Sequence, residues 1–468
     1  MRVLAVLLIC SGGCTLAHRA LMPDSARADA YEAATDSPSD VEADSPIDGG
    51  SDAIDAFDVI EEDVAPDILV DTVDVPADDG EVDAGTIIPF DFTTLTLGSV
   101  TALPAGLSFE RSSAATVQVG TSSIVTTGIG PNVARAGRRL DSDSTGLVIE
   151  EPRTNLAPSR DQVTGWFAGT GTRVGAQAGP DGSSQASQWT LGAGQYSAYI
   201  ADTDPGMHTG SVWWRRSSAT SSGQFLVFLN DGMVPHASTV IASTGVTDAW
   251  TRVALTAPAP VTIGSAGLFP LDGRDWSDAS GSGAPAGARD AIVDLPQYEQ
   301  GAFPTEVILT AGAPATRAGE RLFVTNSSSF APGGRLAMSA TVRPKAGTSE
   351  YGTPVRLWTV DAANYCEIAP SGVLSVVIGG ATNTVSGVAW SRYALLEIFV
   401  AAGGGAPTVV AWRINGGTAS TNPPTGGPLG AVNLTGALDL LCNGAASQFS
   451  SWAYQITFYP SGARPPWT

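Results

Sequence analysis

The sequence predicts an all-β protein: two β-sandwiches held behind a disordered acidic tether. Three observations carry that expectation. After Thr86 the chain runs as short apolar segments with period-two alternation, cut by Gly, Pro, Ser, Asn and Asp turns. No stretch there reads as an amphipathic helix of more than about two turns. Between Ala28 and Thr86 there are twenty acidic residues and no Lys or Arg.

The elements follow in chain order. Met1-Arg2 and the apolar run from Val3 to Ile9 match a short secretory leader, too short to span a bilayer as a helix. Ser11-Gly12-Gly13-Cys14 follows, and small residues before a cysteine are what a lipoprotein peptidase accepts. Cys14 is therefore the lipidation candidate within a leader of residues 1–14. Cys10 is the alternative, with Leu7 three places before it but bulky Ile9 adjacent. Residues 15–86 form the tether. They cannot bury enough apolar surface to offset chain entropy, and their like charges repel. This layout implies an exported protein displayed at the outer membrane or cell surface, with the membrane met through a lipid anchor only.

Charge narrows the partners. The first 86 residues hold 21 carboxylates against 3 bases, and the remaining 382 hold 25 against 21. The folded part is thus nearly neutral and presents no basic field for nucleic acid. Lys is nearly absent. His18, His208 and His236 are the only histidines, which leaves little material for histidine triads or zinc sites. No P-loop, dinucleotide fingerprint or nucleophile elbow is present.

Segments such as Phe225 to Leu229, Thr251 to Leu255 and Tyr454 to Tyr459 read as strands. We divide the region into a lead-in β arm at 87–157, one sandwich at 158–316 and a second at 317–468. The join at 310–316 is small and flexible in composition.

Three strings support a resemblance. They are residues 107–116 (Leu-Ser-Phe-Glu-Arg-Ser-Ser-Ala-Ala-Thr), 146–156 (Gly-Leu-Val-Ile-Glu-Glu-Pro-Arg-Thr-Asn-Leu) and 296–305 (Pro-Gln-Tyr-Glu-Gln-Gly-Ala-Phe-Pro-Thr), the last followed by Thr316-Arg317. Together they resemble a module of bacteriophage tail-fibre and head-spike proteins and some bacterial surface proteins, over roughly residues 105–320. That resemblance implies a jelly-roll sandwich similar to carbohydrate-binding modules, with landmarks at 179–182, 209–214 and 249–255. Residues 390–400, 409–417 and 438–459 resemble strands of a concanavalin A-like, or laminin-G-like, sandwich. The Asn415-Gly416 pair has its own reason to turn the chain, since both residues tolerate positive φ.

Candidate site residues follow from side-chain chemistry. Indoles stack on sugars, and sandwich cores also use tryptophan. Trp213 and Trp214 are adjacent, so on a strand one of them leaves the core side of its sheet. Trp276 sits in a loop rich in Asp, Gly and Ser. These three are the ligand-binding candidates, whereas Trp250 and Trp390 are assigned to packing. Asp272, Asp275 and Asp278 form a weak calcium candidate beside Arg274, and a solvated loop is the preferred reading. No cofactor is otherwise implied. Glu150 and Glu151 are neighbours on a strand and point apart, so they do not form a hydrolytic carboxylate pair; Glu150 is read as structural. Cys366 and Cys442 are either a disulfide or two buried thiols.

The expectation is a surface-anchored binding or adhesion protein, not an enzyme, with a glycan or cell-surface polymer as its partner. A fibre-like appendage and a polysaccharide lyase or glycoside hydrolase are the alternatives.

Overall fold

Strands such as Arg335–Pro344 and Asn364–Ile368 form where apolar residues recur at every second position. The computed structural model describes residues 87–468 except 120–124, 139–143, 165, 167–170, 192–204, 218–223, 231–234, 243–248, 257–260, 263–264, 272–288, 326–327, 435, 445–446 and 461–462. Cys10, Cys14, His18 and the acidic stretch lie outside the described residues, as do Trp276 and Asp272, Asp275 and Asp278. Among the described residues there are strands and three single-turn 3-10 helices, with no α-helix. No helix there is long and apolar enough to cross a membrane.

Two antiparallel sheets build the first sandwich. One runs Gly98–Val100, Ala134–Gly137, Gly146–Ile149, Ser451–Phe458, Arg335–Pro344, Leu396–Gly403, Val409–Ile414, with Ile88–Asp91 also paired to Ser451–Phe458. The other runs Ala381–Val385, Leu374–Ile378, Asn364–Ile368, Val355–Asp361, Leu438–Leu440, Arg321–Val324, Leu107–Glu110. Alternation decides which side chains face inward. Leu336, Met338, Ala340 and Val342 pair with Ala402, Val400, Ile398 and Leu396, and all eight are buried in the shared core. Trp390 lies in that core as expected, its indole N–H donating to Ala346 O at 2.9 Å.

The segment 87–157 is therefore not a separate arm. Its strands Ile88–Asp91, Gly98–Val100, Leu107–Glu110, Ala134–Gly137 and Gly146–Ile149 hydrogen-bond into the two sheets of 317–468. Phe90, Leu147 and Ile149 complete the same core as Phe458 and Met338.

Between these two parts of the host sits a second sandwich, inserted through a two-strand neck. Arg153–Asn155 leaves the host and Ala315–Arg317 returns, paired antiparallel with Arg153 opposite Arg317. Inside the insertion, one sheet runs Thr251–Thr256, His208–Arg216, Arg289–Gln300, Ala186–Leu191, Thr172–Gln177, and a smaller one runs Pro235–Ala242, Gln224–Asn230, Ser265–Leu271. Adjacent ends are what allow one domain to be inserted in another. The described residues fall in one compact unit.

The outer face of the first host sheet is covered. The hairpin of Ala115–Gln118 and Val125–Ile129 lays Val117 and Ile129 on Val148, Trp452 and Tyr454. Near the C-terminus, Trp467 packs on the cluster of Ala337, Phe399, Ala401 and Tyr459. At the Asn415-Gly416 turn φ is 51° and 69°, the left-handed values that make this pair suitable there.

Candidate functional site

Where the neck meets the host, the chain buries an ion-pair network. Glu150 follows the strand Gly146–Ile149, and its carboxylate binds Arg135 (2.8 Å), Arg317 (2.9 Å) and Lys345 (2.6 Å). Glu320 binds Arg111 (2.7 Å) and Arg135 (2.8 Å), and Glu306 binds Lys345 (2.9 Å). All seven side chains are at most 4% exposed. Burial alone would raise the Glu150 carboxyl, but Arg317, Lys345 and Arg135 outweigh it and hold the group well below the usual carboxylate range. Arg111 is shifted down by burial despite Glu320.

The three strings singled out in the sequence converge at this joint. Arg111 comes from the first, Glu150 and Asn155 from the second, and Tyr298 and Thr305 from the third, with Arg317 just beyond. Buried Asn155 uses its whole side chain: its amide donates to Pro296 O and Ile308 O, and its oxygen accepts from Ala157 N and Tyr298 N. Buried Glu299 accepts from Gln297, Thr305 N and Thr305 Oγ1. The network is buried, its carboxylates are met by cations from both the host and the insertion, and its chemistry is to fix the insertion to the host. Glu150 is structural, as read from sequence, and also accepts the backbone N–H of Glu306 at 2.8 Å; Arg153 binds Glu151. Burial raises the Glu151 carboxyl against the pull of Arg153.

A second cluster closes the insertion. Arg160 forks onto Asp181 and Asp294 with four bonds of 2.6–2.7 Å. Burial works against ionisation of Asp181, yet hydrogen bonds from Arg160 and Ser183 bring it down to about 2. Asp294, wholly buried, is shifted up by burial.

The second host sheet turns a different face outward. Pairing sets Arg356 opposite Glu367, Thr359 opposite Tyr365 and Phe323 opposite Asp439. The Arg356 guanidinium lies 3.6 Å from the Tyr365 ring centre and 3.0 Å from Glu367. Arg321 lies 4.4 Å over Phe323 and binds Asp439 (2.8 Å) and Glu110 (3.2 Å). Arg356, Tyr365, Glu367, Ser375 and Arg321 are half-buried, and Thr382 and Glu110 are exposed. This face mixes aromatic rings, guanidinium forks, carboxylates and hydroxyls. Phe323, Thr359 and Asp439 are buried on it, so the half-buried Tyr365 is its accessible ring, with Arg356 and Glu367 beside it to hydrogen-bond hydroxyl groups.

The tryptophan pair takes a different role from the one the sequence suggested. Trp213 and Trp214 do point to opposite faces of the strand His208–Arg216, but both are buried, at 0% and 2% exposure. Trp213 packs with Trp250, Ile292, Leu295 and Val307, the last contributed by the return segment that covers that side of the sheet. Neither indole is offered to a ligand, because both faces of the strand are covered. His208 is buried and stacked on Tyr298, with ring centres 5.2 Å apart. Of the two cysteine alternatives, the structure shows the unbridged one. Cys366 and Cys442 are buried free thiols, Cys442 donating to Leu322 O. Both thiols are pushed up by burial. Among the described residues no group of three His, Cys, Asp or Glu is placed to hold a metal.

Tyr365, Arg356, Arg321 and Lys345 were missed by sequence reasoning. Alternation gave the strands, but only pairing shows which aromatic meets which arginine. Lys345 carried a signal of its own, being the single lysine of the chain.

No family model matches the chain, and no curated protein matches it. Among solved structures, it is similar to the CBM22-1–GH10 modules of Clostridium thermocellum endo-1,4-β-D-xylanase 10B complexed with xylohexaose. That match has 14% identity over 35% of this chain and 30% of that one, with a TM-score of 0.21. A second is an arabinose-bound MgGH51 α-L-arabinofuranosidase, at 13% identity over 42% of this chain and 31% of that one, TM-score 0.21. The alignments span less than a third of either neighbour.

Proposed function

We propose that the chain is a surface-anchored binding protein that recognises glycans through the open face of the second host sheet. The observation that supports this reading is the contrast between the two outer faces of the host. One is covered by the hairpin 115–129 and the C-terminal tail. The other leaves Arg356, Tyr365 and Glu367 half-buried, the guanidinium on the ring and beside the carboxylate. Sugars offer a C–H face to rings and hydroxyls to charged forks, which fits such a surface. In this reading the protein binds without turnover, and the leader with Cys14 and the acidic tether hold the sandwiches away from the membrane at the cell surface.

The test is a glycan array probed with the full chain and with an Arg356→Ala/Tyr365→Ala variant. Retention on a defined glycan that falls by roughly tenfold in the variant, at unchanged melting temperature, is expected. Retention equal in both proteins, or none on any glycan, refutes the assignment. Release of reducing sugar from the retained glycan would move the reading to a hydrolase. Cell fractionation of a Cys14→Ser variant tests the anchor, with loss from the membrane fraction expected.

A further inference from the structure

Lys345 is the only lysine in 468 residues; the other bases counted with it are all arginine. It is also among the most deeply buried charges of the molecule, its side chain 2% exposed. Its Nζ lies 2.6 Å from Glu150 Oε1 and 2.9 Å from Glu306 Oε1, and 4.3 Å from the ring centre of Trp452. Elsewhere in the network arginines neutralise the carboxylates. A primary amine differs from a guanidinium in being a usable nucleophile.

The two carboxylates beside it are not equivalent. Glu150 is compensated by Arg135 and Arg317 as well as Lys345. The Glu306 carboxylate meets no guanidinium in a salt bridge among the described residues. Its Oε1 faces Lys345 and its Oε2 accepts the backbone N–H of Gln118 at 3.0 Å. That N–H stands where negative charge would gather if the carboxyl carbon were attacked.

We infer that Lys345 and Glu306 condense into an intramolecular amide, a side-chain cross-link between the host and the inserted sandwich. One ammonium proton passes to Glu306 Oε1. The amine lone pair then forms the N–C bond at Cδ, and the oxyanion on Oε2 is held by Gln118 N–H. Glu150 takes a second proton from nitrogen and delivers it to the Oε1 hydroxyl. The C–Oε1 bond breaks, the carbonyl re-forms and water leaves. An ammonium and a carboxylate become an amide and one water, with Glu150 regenerated and no oxidant or co-reactant consumed. Held proximity supplies the rate, and removal of two desolvated ions supplies part of the driving force.

A single lysine makes the test direct. The full chain is purified, denatured and treated with an endoprotease that cleaves only after lysine. The expected result is no cut, an ε-amine silent to amine reagents in denaturant, and a digest by a second protease holding a branched peptide of the Lys345 and Glu306 segments, lighter by one water. One clean cut after Lys345, with two linear fragments, overturns the proposal. Glu306→Ala is expected to restore that cut; an uncut Glu306→Ala chain overturns the assignment to Glu306. Should Glu306→Ala fail to fold, the wild-type digest decides alone. No ligand enters these measurements, so their outcome is separate from that of the glycan reading.

Discussion

Arg153 and Arg317 stand directly opposite one another across the neck of the inserted sandwich. Two like charges at that position would repel, and each is neutralised from the adjoining segment: Arg153 by Glu151, Arg317 by Glu150. Glu150 and Glu151 thus each neutralise one arginine of the neck.

Glu150→Gln is expected to destabilise the protein by about 3–5 kcal/mol, because it leaves the Arg135 and Arg317 guanidiniums buried without their shared carboxylate. Urea unfolding measures this. A loss of less than about 1 kcal/mol would mean that the joint does not carry the fold.

Acid should weaken the protein in a defined window. Asp181 is lower in the folded state than its ordinary 3.8, at about 2, and Glu150 is also depressed. The folded state therefore binds fewer protons, and this stabilisation is full above the unfolded values and lost as pH falls through the folded ones. Asp294 and Glu151 are shifted up and act oppositely, their contribution declining as pH rises through their folded values. In melting curves at falling pH, Asp181→Asn should be less stable near neutrality and lose less between pH ~4 and ~2 than the wild type.

Gly179→Ala should cost about 2 kcal/mol or more, since a Cβ there runs into Asp294 Oδ2 and Arg160 Nη2. Gly182→Ala, in the same turn, meets no atom but has φ +78°, so its cost should come from backbone strain alone, about 1 kcal/mol. Thermal unfolding of the two variants separates the effects.

Cys366 and Cys442 should resist thiol reagents in the native protein and react once it is denatured, without prior reduction. Recovery of a peptide bridging the two by mass spectrometry would contradict this.

The fold class was legible because alternation is local. Leu336, Met338, Ala340 and Val342 announce a half-buried strand without knowledge of a partner. The nesting of one sandwich in another was not, because Ile88–Asp91 pairs with Ser451–Phe458, more than three hundred residues away. Local pattern has no access to such a pairing, so the first strands read as an arm. The three strings were visible, but their meaning as one joint depends on Lys345, which lies in none of them. Trp213 and Trp214 gave the correct geometry and a misleading role: opposite faces do not imply an open one when the return segment with Val307 covers one side.

The long pairing of Ile88–Asp91 with Ser451–Phe458 also imposes an order on biosynthesis. Residues that begin the host are synthesised first and wait for nearly the whole of translation before their partners exist. The inserted sandwich has both neck strands available by Arg317 and can complete itself earlier. Through that interval the opening strands have unpaired edges and are an aggregation hazard, which the topology itself imposes.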